Sequence, residues 1–249
     1  MKALKKFVGV VIVLLIWQIA SQVVNKELFV PSPHSTFNVI VEMVKTGAFW
    51  KHIGASFGRV TIGVIIATAI STPLGFLISW NDRANRLLLP VVNSLRFIPV
   101  TCFSPLLILL FGIDEKMKII FLVIAGFFSF LPGVIQTATE PHDKLKETAY
   151  TMGFSYPRML WYCMIPFILP TLLQSVVTLY GVGWTYVIIA ELNNTQYGLG
   201  HLMYIGSARG HTNMVFASIV IIIIVSYIFD KIANYVIKKA FPWRFMKDE

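Results

Sequence analysis

The ionisable and nucleophilic side chains of this 249-residue chain are few, and none is spaced for bond-making chemistry. The histidines are scattered, with no His-Glu-x-x-His pair to hold zinc on one helix face and no Gly-x-Ser-x-Gly turn to present a serine nucleophile. A Gly-x-x-x-x-Gly-Lys-[Ser/Thr] loop is missing as well, so the chain does not cradle ATP phosphates in that way. Cys102 and Cys163, lying far apart in or beside apolar stretches, make neither a disulfide framework nor a metal site. His34, beside serines and a proline, reads as a solvated loop histidine. The expectation is a chain with no enzymatic activity, no metal and no cofactor of its own.

The charged groups that remain stand in or at the ends of long apolar runs: Arg96, Glu191 and Asp230. A charge in such a place either lines a polar pathway or snorkels back to the lipid headgroups. Arg96, followed by Pro99 and Pro105, would meet an anion if it faced a pathway. It also lies only ten residues past Arg86, and a helix rises ~1.5 Å per residue, which favours snorkelling. Tyr180, Trp184 and Glu191 are the other candidates for a passage, with aromatic packing between helices an equal explanation for the two rings. So few deep ionisable groups argue against a carrier driven by proton flow. The energy for any transport then enters from another protein.

Composition decides what must position these residues. The chain is 56% hydrophobic and only 13% charged, with a mean hydropathy of +0.72. Soluble domains carry about 25% charged residues, so this is a polytopic membrane protein, all-α, with about six spans at about 20 residues each. The net charge of +9 is explained by basic residues on the cytoplasmic side. Nucleic acid is excluded as a partner, because no basic run is interleaved with aromatics.

The spans read as Phe7–Val24, a stretch within His52–Trp80, Leu87–Phe111, Met117–Ile135, Pro166–Ala190 and Met214–Val236. The first follows Lys2, Lys5 and Lys6 but is too long for a signal core and is taken as retained. Pro31 and Pro33 forbid a regular helix between it and a short amphipathic segment, Phe37–Lys45, that lies along the membrane surface. Gly63, Ala67, Ser71 and Gly75 fall four apart and form one small-residue face for close helix packing. In the third span, Pro99 and Pro105 break the helix. The basic residues of the six-span arrangement concentrate on the side that holds both termini and the segment between spans four and five, so that side is cytoplasmic.

That segment is polar and punctuated. Asp143 is placed to cap a short helix over Leu145–Met152, Gly153 to end it in the left-handed conformation, and Pro157 to start a second. Pro166 and Pro170 mark the return to the membrane. Glu147-Thr148-Ala149, three residues, Gly153, nine residues, then Cys163-x-Ile165-Pro166 resembles the EAA loop of ABC-importer membrane subunits. Thr148, Cys163 and Ile165 replace alanine, isoleucine and leucine of that pattern. Further strings look like the nitrate/sulfonate/taurine branch: Pro31–Pro33, Ser56–Val60, Arg96–Pro99, Pro105–Ile113, Ala190–Leu192, Tyr197–Gly200 and Phe241–Arg244. The resemblance covers nearly the whole chain, with its core at 52–240 and the cytoplasmic loop at 139–166.

The resemblance implies one transmembrane permease domain over 1–249 with the type I importer (MetI-like) fold. It sits in a bacterial or archaeal inner membrane. The implied partners are cytoplasmic ABC ATPases, which carry the ATP and Mg, an extracytoplasmic substrate-binding protein, the lipid bilayer and a second permease copy, a homodimer in preference to a heterodimer. Glu147, Thr148, Ala149, Gly153 and Pro166 then belong to the ATPase-coupling element, with Glu147 to Ala149 docking in a partner's cleft. The implied cargo is a small anion of the alkanesulfonate, taurine or nitrate type. A thiamine-precursor pyrimidine or bicarbonate is the alternative within the branch, and an ion-coupled secondary carrier the alternative outside it.

Overall fold

The computed structural model describes the backbone of residues 2–139, 142–192 and 195–245, and their side chains except at 2–7, 142–146, 156 and 157. Among the described residues every regular element is helical. The six apolar segments each fall on helix: α1 (Lys2–Val24), α3 (Ala48–Ser79), the pair α4 (Asp82–Leu95) and α5 (Phe103–Phe111), α6 (Glu115–Thr139), α9 (Ile165–Leu192) and α11 (Thr212–Ala240). Four of these are long and apolar enough to cross a membrane, and α4 with Val100–Phe111 makes a fifth span if the bent pair counts as one. The described apolar part of α1, Val8–Val24, is shorter. The chain divides into two compact units, Met1–Gly58 with Glu191–Val225, and Arg59–Ala190 with Ser226–Glu249.

In the first unit, α2 (Pro33–Lys45) and α10 (Leu199–Ala208) accompany the parts of α1, α3 and α11 that belong to it. Pro33 does not break helix as expected. It is the first residue of α2, where its missing N–H costs nothing, and Ser32 caps the helix by accepting the Ser35 N–H at 3.1 Å. The connection from α1 is tied back to it: Trp17 Nε1 donates to the Pro31 carbonyl at 3.0 Å and Ser21 Oγ to the Val30 carbonyl at 3.1 Å. The Trp17 ring also stacks on Phe216 of α11.

In the second unit, the small-residue face of α3 meets α6. A Cβ on Gly63 would come within 2.7 Å of Leu122, one on Gly126 within 2.7 Å of Ala67, and one on Gly75 within 2.5 Å of Val134. The same offset of 59 positions holds at all three contacts, so α3 and α6 run parallel. Two parallel helices need a full return of chain between them, and α4 with α5 supplies it. That return is bent by 74°. Arg96 caps α4, Pro99 precedes a 3-10 turn at Val100–Cys102, and α5 follows. The expected break is therefore real, and Pro105 lies inside α5 rather than at it. Val100, Leu107, Met117, Phe121, Ala125 and Ala190 bury one apolar cluster around α5 and α6, and Ile78, Val92, Leu131 and Ile135 another beside α4.

Candidate functional site

The segment between α6 and α9 folds as a helical hairpin held from within. Helix α7 spans His142–Thr151, so Asp143 lies in its first turn rather than before it, with a side chain outside the described residues. Gly153 adopts φ +76°, as its expected role in ending the helix requires. The Phe154 N–H donates to the Ala149 carbonyl and the Gly153 N–H to the Tyr150 carbonyl, both at 3.0 Å, the paired bonds of a Schellman ending. Ala149 and Phe154 also pack together with Met159 and Met164, the hydrophobic contact that accompanies this ending.

Ala149 is only 3% exposed, because its side chain turns onto Met159 and Met164 of its own chain. Its small size lets α7 approach the segment that follows. Glu147 and Thr148 are exposed, as are Tyr150, Met152, Trp161 and Tyr162. Pro166 marks no break either. Helix α8 (Tyr156–Met159) runs through a π-turn at Leu160–Met164 directly into α9, and Pro166 occupies the first turn of α9. The wider turn carries helix past a residue that cannot donate.

Of the four pathway candidates, Arg96, Tyr180 and Trp184 belong to the second unit and Glu191 to the first. Arg96 is exposed in a groove of about 520 Å³ lined by Leu89, Asn93, Phe97, Gln136 and Thr139. Tyr180 and Trp184 do not line that groove and are buried, at 6% and 3% exposed. The Tyr180 hydroxyl bonds that of Thr61 and its ring stacks on Phe229. Glu191, in the other unit, lies in the last turn of α9 with none of its surface exposed.

The family model described as the inner membrane component of binding-protein-dependent transport systems matches residues 59–241. The chain belongs to this family. SsuC of Bacillus subtilis (strain 168), named as a transport permease for aliphatic sulfonates, is 26% identical over 94% of this chain and 85% of its own length. The taurine transport system permease protein TauC of Escherichia coli (strain K12) is 25% identical over 91% and 84%. A chain of the inward-facing MetNI methionine ABC transporter superposes with a TM-score of 0.65 at 18% identity, covering 77% of this chain and 95% of that one. The permease therefore has the importer fold that its sequence resembles.

Two polar clusters of the permease were not legible as clusters, although Glu191 of the first was a candidate by itself. In the first unit, Ser56 Oγ donates to the Glu191 carboxylate at 2.8 and 2.9 Å and accepts the Leu199 N–H at 2.9 Å. The Gly200 N–H donates to Glu191 Oε2 at 2.9 Å. One helical turn earlier on the same face, the Nδ1 of His52 lies 3.0 Å from the Gly198 carbonyl oxygen and 3.1 Å from the Gly198 nitrogen. The His52 ring stacks on His201, and burial followed by the neighbouring His52 holds the His201 imidazole below its ordinary pKa. Glu191 thus pins the loop entering α10. A buried carboxylate satisfied by hydroxyl and backbone donors is a structural anchor of high cost to disturb.

In the second unit, Arg59 grips Glu115 with two bonds, Nε at 2.6 Å and Nη2 at 2.7 Å, and Lys118 Nζ joins at 3.0 Å. The two cations are 9% and 3% exposed and the acid 52%. By sequence Lys118 closes a charged turn between two spans, yet it belongs to the first turn of α6 and faces inward. The signals for these clusters were the candidate Glu191 and the strings Ser56–Val60, Ala190–Leu192 and Tyr197–Gly200, which carry the family resemblance without saying which atoms meet.

Proposed function

We propose that the permease is the membrane-embedded half of an ATP-driven importer for a small organic anion of the sulfonate type. A substrate-binding protein supplies the cargo from outside, separate ATPases hold the ATP and Mg, and a second copy of this chain completes the pathway. The observation that carries the reading is the helical hairpin at 142–164. Its outer face offers Glu147, Tyr150, Met152 and Trp161, a carboxylate among large apolar groups that suits a partner's cleft. Its inner face, through Ala149, Met159 and Met164, is packed onto the start of the continuous helix that becomes α9. A push on the hairpin is therefore transmitted to a span rather than absorbed by a flexible loop. The sulfonate and taurine names of the two relatives support the cargo class.

A pyrimidine cargo is the second reading, because a formylaminopyrimidine permease is 22% identical over 80% of this chain. The test is reconstitution of the permease in liposomes with the ATPase and binding protein encoded beside it. Uptake of labelled taurine or ethanesulfonate that needs internal ATP and the binding protein is the expected result. Uptake of the pyrimidine alone moves the cargo to the second reading. Uptake of either driven by an ion gradient without ATP overturns the importer.

A further inference from the structure

The groove at the break between α4 and α5 holds a cation whose charge no carboxylate among the described residues answers. Arg96 caps the C-terminus of α4, at the 74° bend, and its side chain opens into a space of about 520 Å³. Among the described residues, the ion pairs of this unit are those of Arg59 and Lys118 with Glu115, and Arg96 has no carboxylate within ion-pair distance. Its one hydrogen bond runs from Nη2 to Asn93 Oδ1 at 3.3 Å. A guanidinium has five N–H donors in a rigid fork, so most of them have no acceptor among the described residues of the groove.

The other walls sort by chemistry. Asn93 accepts from Arg96 through its carbonyl oxygen, which leaves its amide hydrogens to donate. Gln136, from the end of α6, lines the groove beside it. The Thr139 hydroxyl spends its hydrogen on the Ile135 carbonyl at 2.7 Å and has only lone pairs left, so it adds no donor. Leu89 and Phe97 form the apolar remainder, and Phe97 is 81% exposed. One charged fork, an amide donor and an adjoining apolar strip make a complement to an oxyanion that carries a hydrocarbon tail. A bare inorganic anion would leave Leu89 and Phe97 in water, and a neutral solute would leave Arg96 unanswered.

We propose that this groove binds the oxyanion head of an amphiphilic monoanion, with Arg96 and the Asn93 amide on the head and Leu89 and Phe97 along the tail. Two sources share this chemistry: a sulfonate solute in transit and the phosphate of an anionic phospholipid. The solute source deepens the anion-import reading and rests on it; the groove itself does not.

The test uses the full-length permease in nanodiscs, with no ATPase required. In neutral phosphatidylcholine discs, hexanesulfonate is titrated calorimetrically against the wild type, Arg96→Gln and Arg96→Lys, with inorganic sulfate as the tail-less control. Discs containing phosphatidylglycerol are analysed by native mass spectrometry for lipid retained by each variant. Size-exclusion profiles and melting curves establish that the variants fold, and Arg96→Lys keeps the charge while losing the fork. The proposal expects Arg96→Gln to weaken hexanesulfonate binding at least tenfold, Arg96→Lys to weaken it less, and sulfate to bind more weakly than hexanesulfonate. Loss of retained phosphatidylglycerol in Arg96→Gln with no hexanesulfonate binding to the wild type assigns the groove to lipid. Hexanesulfonate and phosphatidylglycerol binding that are both unchanged in a folded Arg96→Gln overturn the site. That result leaves the import reading standing if wild-type uptake is ATP-driven, whereas failure of uptake with binding intact overturns the import reading alone.

Discussion

Glu191 shows how much one side chain can be asked to hold. Its carboxylate takes the Ser56 hydroxyl and the Gly200 N–H while Ser56 takes the Leu199 N–H, so three points of the chain meet on one buried charge. The arrangement works only because Gly198 has no side chain. A Cβ there would lie 2.4 Å from the Glu191 carboxyl carbon, and its φ of +149° belongs to glycine. Gly198→Ala therefore adds a clash and backbone strain together. The expected loss is about 2 to 4 kcal/mol, since strained backbone of this kind costs ~1–3 kcal/mol and disturbing a buried charge's donors adds about 1–3 kcal/mol more before relaxation. Thermal unfolding in detergent measures it. A melting temperature for Gly198→Ala equal to that of the wild type would show that the anchor does not hold α10. None of this was visible in the sequence, where Ser56 and Glu191 stand 135 positions apart and Glu191 reads as a charge at the end of a span. A hydrogen bond over that separation depends on how helices pack, which periodicity does not report.

At the scale of elements, the sequence carried most of what short-range physics decides. The four-residue spacing of Gly63, Ala67, Ser71 and Gly75 announced a packing face, and the structure supplies its partner, α6. Pro99 announced the break in the third span. The left-handed Gly153 followed from the composition of the hairpin, but the inward turn of Ala149 did not, because consecutive residues fan around a helix and the motif does not say which of them meets the rest of the hairpin. A Cβ added to Gly153 would meet nothing within 4 Å, so space is not its constraint; conformation is. Gly153→Asn, which tolerates positive φ, is expected to retain at least half of the wild-type ATP-driven uptake. Gly153→Val is expected to lose most of it, because a β-branched residue in this conformation costs well over the 1–2 kcal/mol of an ordinary side chain and opens the Schellman ending. Uptake and ATP hydrolysis measured together separate coupling from folding. Equal loss in both variants would mean that the turn needs a bare glycine surface against its partner, and the conformational account would be wrong.

For the whole molecule the consequential quantity is which side of the membrane each end occupies, and the second unit contains enough landmarks to test it alone. The parallel run of α3 and α6 means that the hairpin after α6 emerges on the side where α3 ends, next to Arg83 and Arg86. Lys116 stands at the opposite end of α6, exposed, while its neighbour Lys118 is buried against Glu115 and does not count as a free surface charge. Removing Lys118 from the outer tally strengthens the charge bias that sets orientation. The two native cysteines are free and can be replaced, since neither forms a bridge among the described residues. In a Cys102→Ser, Cys163→Ser background, single cysteines at Glu147, Arg244 and Lys116 report sidedness. A membrane-impermeant maleimide is expected to label the variants at Glu147 and Arg244 only in inside-out vesicles and the variant at Lys116 only in right-side-out ones. Labelling of Glu147→Cys and Lys116→Cys from the same face would require α6 not to cross the bilayer. Labelling of Glu147→Cys from outside alone would invert the permease and put its hairpin out of reach of any cytoplasmic ATPase.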